Sequence, residues 1–236
     1  AGAIHNAGTA TLTHCTVSGN HSGANGSIYN SGSHLTLACS IVAGTTGGAT
    51  DIHNDGALTL VGANLVESLF HTGSATVDGS GTISNAPPLL APLGNYGGPT
   101  QTMALLPGSP ARNAAAGSTA SHDQRGFPVI GTPDIGAYEA GTFTDYNAWV
   151  WESLPATASA SGHSEASDFD NDGRLNGDEF SYLTDPVSGA SFFAPTVVPD
   201  DANVRISFMS APGRTYTLQQ SDSLAGASWS SVPGQT

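Results

Sequence analysis

Basic residues are almost missing from this sequence. It contains no lysine and five arginines in 236 residues, against 19 acidic residues, and its formal net charge at pH 7 is -14. Charged residues make up only 10% of the chain, compared with roughly 25% in typical soluble proteins. With so few basic residues, the chain can neutralise few phosphate groups. We therefore expect neither nucleic acid nor an anionic membrane surface as a partner.

Long apolar segments and cysteines are scarce as well. No apolar run approaches the ~18 residues that a membrane-spanning helix needs. The chain opens with "AGAIHN", without a charged and then apolar leader, and this opening already lies inside a repeat. We therefore expect the chain to be a piece of a longer protein. The two cysteines, Cys15 and Cys39, leave both the redox compartment and a disulfide between them open.

The sequence contains instead a repeat of 24 residues. The segments "AIHNAG" (3–8), "SIYNSG" (27–32) and "DIHNDG" (51–56) recur at this spacing, and each precedes a run of alternating apolar and polar residues. The middle copy carries one extra residue before its strand, which we assign to His34. Short strands that end in Gly and Asn at this period predict the coils of a parallel β-helix. We expect a mainly β fold, with the last three or four coils over residues 1–92.

Stacked coils place equivalent residues in columns. The repeat aligns an inner isoleucine column, a ladder of asparagine amides and an outer column of rings: Ile4, Ile28, Ile52; Asn6, Asn30, Asn54; and His5, Tyr29, His53. The two histidines of the outer column would lie about 10 Å apart, too far to share a metal ion. We interpret the outer column as solvated surface, with a ligand-binding face as the alternative.

The repeat fades from about Gly79, and other motifs follow. These are "LGNYGGPTQTMALLPGSPA" (93–111), "DQRGFP" (123–128) and "DIGAYE" (134–139). With the upstream coils, the chain resembles over about residues 1–140 bacterial exported proteins that have right-handed parallel β-helix repeats and a choice-of-anchor Q-like C-terminal region. One departure is the usual Asp after "SPA", which is replaced, with Asn113 near that position. The resemblance implies export and an anchor further toward the C-terminus, but no reaction.

Residues 93–141 read physically as a C-terminal cap, because a solenoid must cover its open end. Four charged residues are concentrated there: Asp123, Arg125, Asp134 and Glu139. We interpret them as structural cap residues, with Arg125 paired to Asp134 or Glu139. The alternative is the carboxylate and arginine cluster of a β-helix polysaccharide lyase.

The segment "DFDNDGRLNGDEF" (168–180) has the spacing of an EF-hand-like calcium loop. Six residues occupy the ligand positions: Asp168, Asp170, Asp172, Arg174 through its carbonyl, Asn176 and Glu179. The loop lies in a helical linker, residues 142–192, which begins with a predicted short helix over 145–155. With "TDP" at 184–186, the linker resembles dockerin and thrombospondin-type calcium linkers. A single loop of this kind suits the high calcium concentration outside cells.

The C-terminal segment, residues 193–236, predicts two alternating strands joined by "SAPGR". The residues that carry this pattern are Val204, Ile206 and Phe208 in one strand, and Tyr216 and Leu218 in the other. They resemble the start of a sandwich-like β module. About 40 residues cannot close such a core alone, so we expect the strands to pair with absent sequence, with the β-helix or with another chain.

These features together predict an exported structural or adhesive surface protein and not an enzyme. It would serve as a rigid, calcium-stabilised β-helix stalk or fibre component, outside the cell or on its surface. Its expected partners are polysaccharide, or copies of itself bound through the C-terminal strands. The alternative is a fragment of a β-helix polysaccharide lyase or glycosidase whose active coils lie N-terminal to this segment. A third reading is a carbohydrate-binding module that uses the outer ring column.

Overall fold

The computed structural model describes residues 1–32, 34–48, 50–141, 143, 145–201, 203–210, 214–221 and 229–233. The chain divides into two compact units, residues 1–167 and residues 168–236. We call them the first and the second unit. The fold is mainly β, with 30% strand and 9% helix.

The first unit is built from short strands that stack in three parallel sheets. Among the described residues there are twelve, and each of four successive repeats adds one strand to every sheet. They are β1 (Ile4–Asn6), β2 (Thr9–Thr13), β3 (Thr16–Ser18), β4 (Ile28–Asn30), β5 (His34–Ala38), β6 (Ile41–Ala43), β7 (Ile52–Asn54), β8 (Ala57–Val61), β9 (Ala63–Val66), β10 (Leu69–His71), β11 (Thr76–Gly79) and β12 (Thr82–Ser84). Sheet A has the order β1-β4-β7-β10, sheet B β2-β5-β8-β11 and sheet C β3-β6-β9-β12. This arrangement is compatible with a parallel β-helix.

Strand register confirms the repeat that the sequence predicts. Ile28 pairs with both Ile4 and Ile52, so the 24-residue spacing is the spacing of sheet A. The assignment of the extra residue to His34 is wrong, because His34 pairs in regular register with Thr9 and with Ala57. The extra residue therefore precedes His34, outside the described residues.

The fourth repeat has no counterpart in the sequence pattern. Leu69 of β10 pairs with Ile52 of β7, only 17 positions later. The repeat is short because the turn from sheet C to sheet A shrinks from residues 44–51 to residues 67–68. The buried Asp51 joins the two turns, accepting hydrogen bonds from the backbone and hydroxyl groups of both Thr45 and Ser68. Four donors satisfy this carboxylate where solvent does not reach it.

The interior of the stack follows from the alternation in each strand. Alternate side chains point inward, and the apolar ones form a cluster with no exposed surface, which includes Ile28, Leu35, Leu37, Ile52 and Leu58. Each such side chain contributes roughly 1.5–3 kcal/mol on burial. The predicted amide ladder is present and buried, since Asn6 donates to Asn30 over 2.7 Å and Asn30 to Asn54 over 2.6 Å. Amides at the corners thus bond to their equivalents one repeat away.

Residues 93–141, which we call the flank segment, pack against the side of the stack at sheet C. The Gly136 N–H donates to the Cys39 carbonyl and the Ala137 N–H to the Thr16 hydroxyl. Gly136 has φ +99°, and a Cβ there would lie 2.7 Å from the Thr16 hydroxyl oxygen, so only glycine fits. Strand β11 of the fourth repeat is exposed along its length. These contacts lie on repeats one and two, and the apolar cluster that includes Tyr96, Leu105 and Tyr138 of the flank segment also contains Leu65 of repeat three. The role of the flank segment as an end cap stays a prediction.

The predicted helix after the flank segment is confirmed. Helix α1 spans Tyr146–Ser153, and the Asp145 side chain caps it by accepting from the Ala148 N–H over 2.9 Å. The helix ends before Pro155, as a proline predicts. A short 3₁₀ helix, Ala160–His163, follows. Neither α1 nor any other helix among the described residues is long and apolar enough to cross a membrane.

The second unit contains helix α2 (Asn176–Tyr182) and two antiparallel strand pairs. Strand β13 (Thr196–Asp200) pairs with β14 (Asn203–Ser207), and β15 (Gln219–Gln220) pairs with β16 (Ser230–Ser231). The prediction that the 204–208 strand pairs with absent sequence, with the β-helix or with another chain is wrong, because its partner is β13 of the same unit. Tyr216 and Leu218 lie before β15 and outside any strand.

Candidate metal site

The acidic loop of the second unit gathers three carboxylates. Asp168, Asp170 and Asp172 each offer one oxygen, and these oxygens lie within 4.8 Å of one another. The loop closes because the Asp168 carboxylate accepts from the N–H groups of Asp172, at 3.1 Å, and Gly173, at 2.9 Å. Gly173 has φ +92°, which a glycine adopts without strain. The sharp turn expected at the sixth loop position is therefore present.

Glu179 adds a fourth carboxylate from helix α2. Its residue is 1% exposed, and neither carboxylate oxygen has a hydrogen-bond partner among the described residues. Burial, and after it the nearby charges of Asp170, Asp172 and Asp168, together raise the pKa of Glu179 to about 7. A buried carboxylate without a partner is strongly destabilising unless it is neutralised. A cation held between Glu179 and the loop would remove this cost.

The remaining predicted ligands lie close by. Asn176 is fully buried at the start of α2. The Arg174 guanidinium pairs with the Asp172 carboxylate over 2.6 Å and lies 4.8 Å from the centroid of the Phe192 ring. The ligand roles of Asn176 and of the Arg174 carbonyl stay predictions. All of these donors are oxygens, the ligand type that Ca²⁺ prefers, so the residues present fit that ion.

The outer face of sheet A carries the predicted ring column, with one ring more. Ring centroids are 5.0 Å apart for His5 and Tyr29, and 5.2 Å apart for Tyr29 and His53. Phe70 of the fourth repeat continues the column, 4.8 Å from His53. The sequence repeat missed Phe70 because the third turn is shortened. Tyr29 separates the two histidines, so they do not share an ion.

Asp55 joins two members of the ring column. Its carboxylate accepts the Tyr29 hydroxyl over 2.8 Å and contacts the His53 ring nitrogen at 3.2 Å. The hydrogen bond between Tyr29 and Asp55 lowers the pKa of Asp55 and raises the pKa of Tyr29. This bond runs between successive repeats, so it holds the outer face in register.

The charged residues of the flank segment form a buried network around Arg125. The guanidinium pairs with the Asp123 carboxylate over 2.7 Å and stacks 3.6 Å from the centroid of the Tyr138 ring. The predicted pairing with the Asp134 or Glu139 carboxylate is wrong, since the carboxylate partner of Arg125 is Asp123. The Arg125 guanidinium instead donates a hydrogen bond to the backbone carbonyl of Glu139 over 2.5 Å.

The other carboxylates of this network accept hydrogen bonds from backbone N–H groups. Asp134 accepts from Asn113 and Ala140, and Glu139 accepts from Ile130 and from the backbone of Asp134. Burial raises the pKa of both carboxyls, while these hydrogen bonds act in the opposite direction. Acceptors that are tied to the backbone in this way fix the loops around them.

Sequence reasoning missed Glu152, which is the partner of this network on α1. Its carboxylate accepts the Tyr138 hydroxyl over 2.5 Å and the Arg112 guanidinium over 3.0 Å. It also accepts the Gly141 N–H over 2.6 Å. Burial raises the pKa of Glu152. Arg112 and Glu152 are 40 positions apart, so no local pattern signals their pairing. The two cysteines, whose state the sequence left open, are both free thiols.

Comparison with known proteins found no matching family model, no similar curated protein and no similar solved structure.

Proposed function

We propose that this chain is part of an exported bacterial surface protein with a structural or adhesive role. In it, a right-handed parallel β-helix forms a rigid stalk or fibre component that is not an enzyme. The observation that carries the proposal is the register of the four stacked repeats, with an inner apolar column and an amide ladder through the first three of them. Each repeat stabilises its neighbours, which is how a solenoid keeps its shape over a long distance.

Calcium is the cofactor in this proposal, and it stabilises the second unit. Its expected ligands are the carboxylates of Asp168, Asp170, Asp172 and Glu179, the carbonyl of Arg174 and the side chain of Asn176. The support is the buried carboxylate of Glu179 beside three further carboxylates. Affinities on the order of 10⁻⁴–10⁻³ M are enough for extracellular calcium modules. Export would then complete the fold of the second unit.

The place of action proposed is the cell surface or the medium, with polysaccharide or further copies of the chain as partners. The choice-of-anchor Q-like motifs at 93–111, 123–128 and 134–139 support export. The calcium loop, with its resemblance to dockerin and thrombospondin-type linkers, supports a calcium-rich environment. The low charge of the chain also fits, because hydroxyl and amide groups make up much of its surface.

The competing function, polysaccharide lyase or glycosidase activity, is tested directly. The chain is incubated with acidic polysaccharides and with neutral glycans. The readouts are the ultraviolet absorbance of unsaturated products and the release of reducing ends. We expect neither signal to rise above that of a heat-denatured control. A time-dependent increase that the Arg125→Ala variant loses would overturn the structural role and favour the buried arginine network as a catalytic site.

A further inference from the structure

Two neighbouring cavities in the second unit share a wall of Tyr182, Thr184 and Phe193. One cavity has a volume of about 390 Å³ and extends to Arg174, Asp178 and Glu179. The other has a volume of about 400 Å³ and is further lined by residues that include Ser191, Phe192, Met209 and Ser210. Both volumes fall in the range of small-molecule sites. We call them together the paired cavity.

The rings in this wall are held in place by other side chains. Tyr182 and Phe193 stack with their centroids 4.5 Å apart and their planes 16° apart. The Tyr216 ring lies parallel to Phe193 at 5.8 Å, and the Arg174 guanidinium lies over Phe192. Even so, Tyr182 is 42% exposed and Phe192 is 48% exposed. Flat apolar surface is therefore presented to solvent in a fixed orientation, which reduces the entropy lost when a ligand binds.

The chemistry of the lining selects among ligands. An entirely apolar ligand would remove the Asp178 carboxylate and the Thr184 hydroxyl from water without replacing their hydrogen bonds, which is costly. An anionic ligand would meet Asp178 and Glu179 in a chain of net charge -14. A neutral sugar has an apolar C–H face that packs on an aromatic ring, and hydroxyls that bond to carboxylate, hydroxyl and guanidinium groups.

We propose that the paired cavity of the second unit binds a neutral glycan, stacked on Tyr182 and hydrogen-bonded by Asp178, Thr184 and Arg174. The inference rests on the adhesive role proposed above and gives that role a site and a ligand class. Arg174 also connects the site to the acidic loop, because it pairs with Asp172 of that loop. A ligand in the paired cavity therefore contacts a residue whose position the loop determines.

The test is calorimetric titration of the whole chain, in calcium buffer, with cellohexaose, xylohexaose and mannohexaose, and with an oligogalacturonate as the anionic probe. We expect saturable binding of at least one neutral hexasaccharide and weaker binding of the oligogalacturonate. Tyr182→Ala should weaken the binding roughly tenfold or more, because it removes both ring contact and buried apolar area. Asp178→Asn keeps the rings and the fold, and should weaken binding about threefold or more through its lost charged acceptor.

The matched control is Phe70→Ala, which removes an equally exposed ring from sheet A of the first unit. It should leave the affinity unchanged, and hydrogen exchange of α2 reports whether each variant of the second unit stays folded. The inference is overturned if no neutral hexasaccharide binds, if Tyr182→Ala and Asp178→Asn both bind like the wild type, or if Phe70→Ala abolishes binding. A parallel calcium titration keeps the two proposals apart. Absence of calcium binding in that titration removes the calcium assignment alone, and glycan binding that persists in EDTA shows that the glycan site stands without the ion.

Discussion

Binding of calcium to the acidic loop should remove the loss of stability that rising pH causes in helix α2. Without a cation, the pKa of Glu179 is raised from 4.5 to about 7. Between these two values the folded state holds more protons than the unfolded state, so the free energy of unfolding falls as pH rises. The stabilisation is complete below the unfolded pKa and is lost as pH passes the folded pKa. A shift of this size corresponds to about 3 kcal/mol.

Calcium removes this dependence because it binds the ionised form of Glu179, so the folded state no longer holds an extra proton. Carboxylate ligands must lose their protons to bind a metal, so acidification releases the ion and destabilises the folded loop. At a calcium concentration one hundred times the dissociation constant, the ion adds about 2.7 kcal/mol to the stability of the state that binds it. The unfolded Glu179 is itself ionised over most of this range, so stability in saturating calcium should stay nearly constant where it falls in EDTA.

Hydrogen exchange of peptides that cover α2 measures this effect, after correction for the intrinsic pH dependence of exchange. In EDTA we expect protection to decrease from about pH 5 to about pH 8, and in saturating calcium to stay nearly constant. Glu179→Gln should remove the dependence seen in EDTA, and it should protect α2 in EDTA because it removes the buried charge. Glu165→Gln, at an exposed carboxylate outside the loop, is the control. Identical pH slopes with and without calcium in the wild type would refute the reasoning.

Three further predictions concern the first unit. Asn30→Ala interrupts the buried amide ladder and should lower the free energy of unfolding by about 2–4 kcal/mol. Urea unfolding measures this free energy. A similar loss for the exposed Asn95→Ala would contradict the role of the ladder. Gly136→Ala should destabilise the unit by about 1–3 kcal/mol more than Gly117→Ala. Both glycines have positive φ, but only the Cβ at 136 meets a neighbour, so equal melting temperatures would exclude a packing effect. Burial raises the pKa of Glu152, so its contribution to stability should be present in acid and lost as pH rises. The difference in melting temperature between wild type and Glu152→Gln should therefore change with pH, and a constant difference would show that the carboxyl does not titrate there.

The first unit was largely predictable because its strand register follows a constant spacing in the sequence. Ile4, Ile28 and Ile52 recur at 24 positions, and a column of equivalent residues requires equal contour length per repeat. Where a turn shortens the repeat, the spacing no longer predicts which residues are equivalent. Leu69 and Phe70 belong to the same columns, but a shortened turn moves them out of the period. Strand pairing in the structure identifies these two residues as members of the columns, whereas their spacing in the sequence does not.

The flank segment and the second unit were harder to predict because their contacts join distant positions. Residue types suggested that Arg125 pairs with a carboxylate, yet the choice of Asp123 as its partner depends on how the loops fold back. Glu152 gave no signal, since its partners come from other segments. In the second unit, the alternation around Val204 and Ile206 correctly indicated a strand. Its partner β13 contains a proline and little alternation, so it was not recognised.

The corner that leads from sheet C to sheet A has a consequence for protein engineering. Residues 19–27, 44–51 and 67–68 fill this corner at three levels, and strand pairing above and below stays in register despite their different lengths. The spacing of the repeats along the stack is thus set by hydrogen bonding between strands. The cross-section of the stack, in contrast, can vary at this corner. A foreign peptide grafted at Gly48, where an added side chain meets open space, would be displayed laterally at a defined height. Equivalent grafts in several repeats would form a row of epitopes along the stack, separated by the distance between neighbouring repeats.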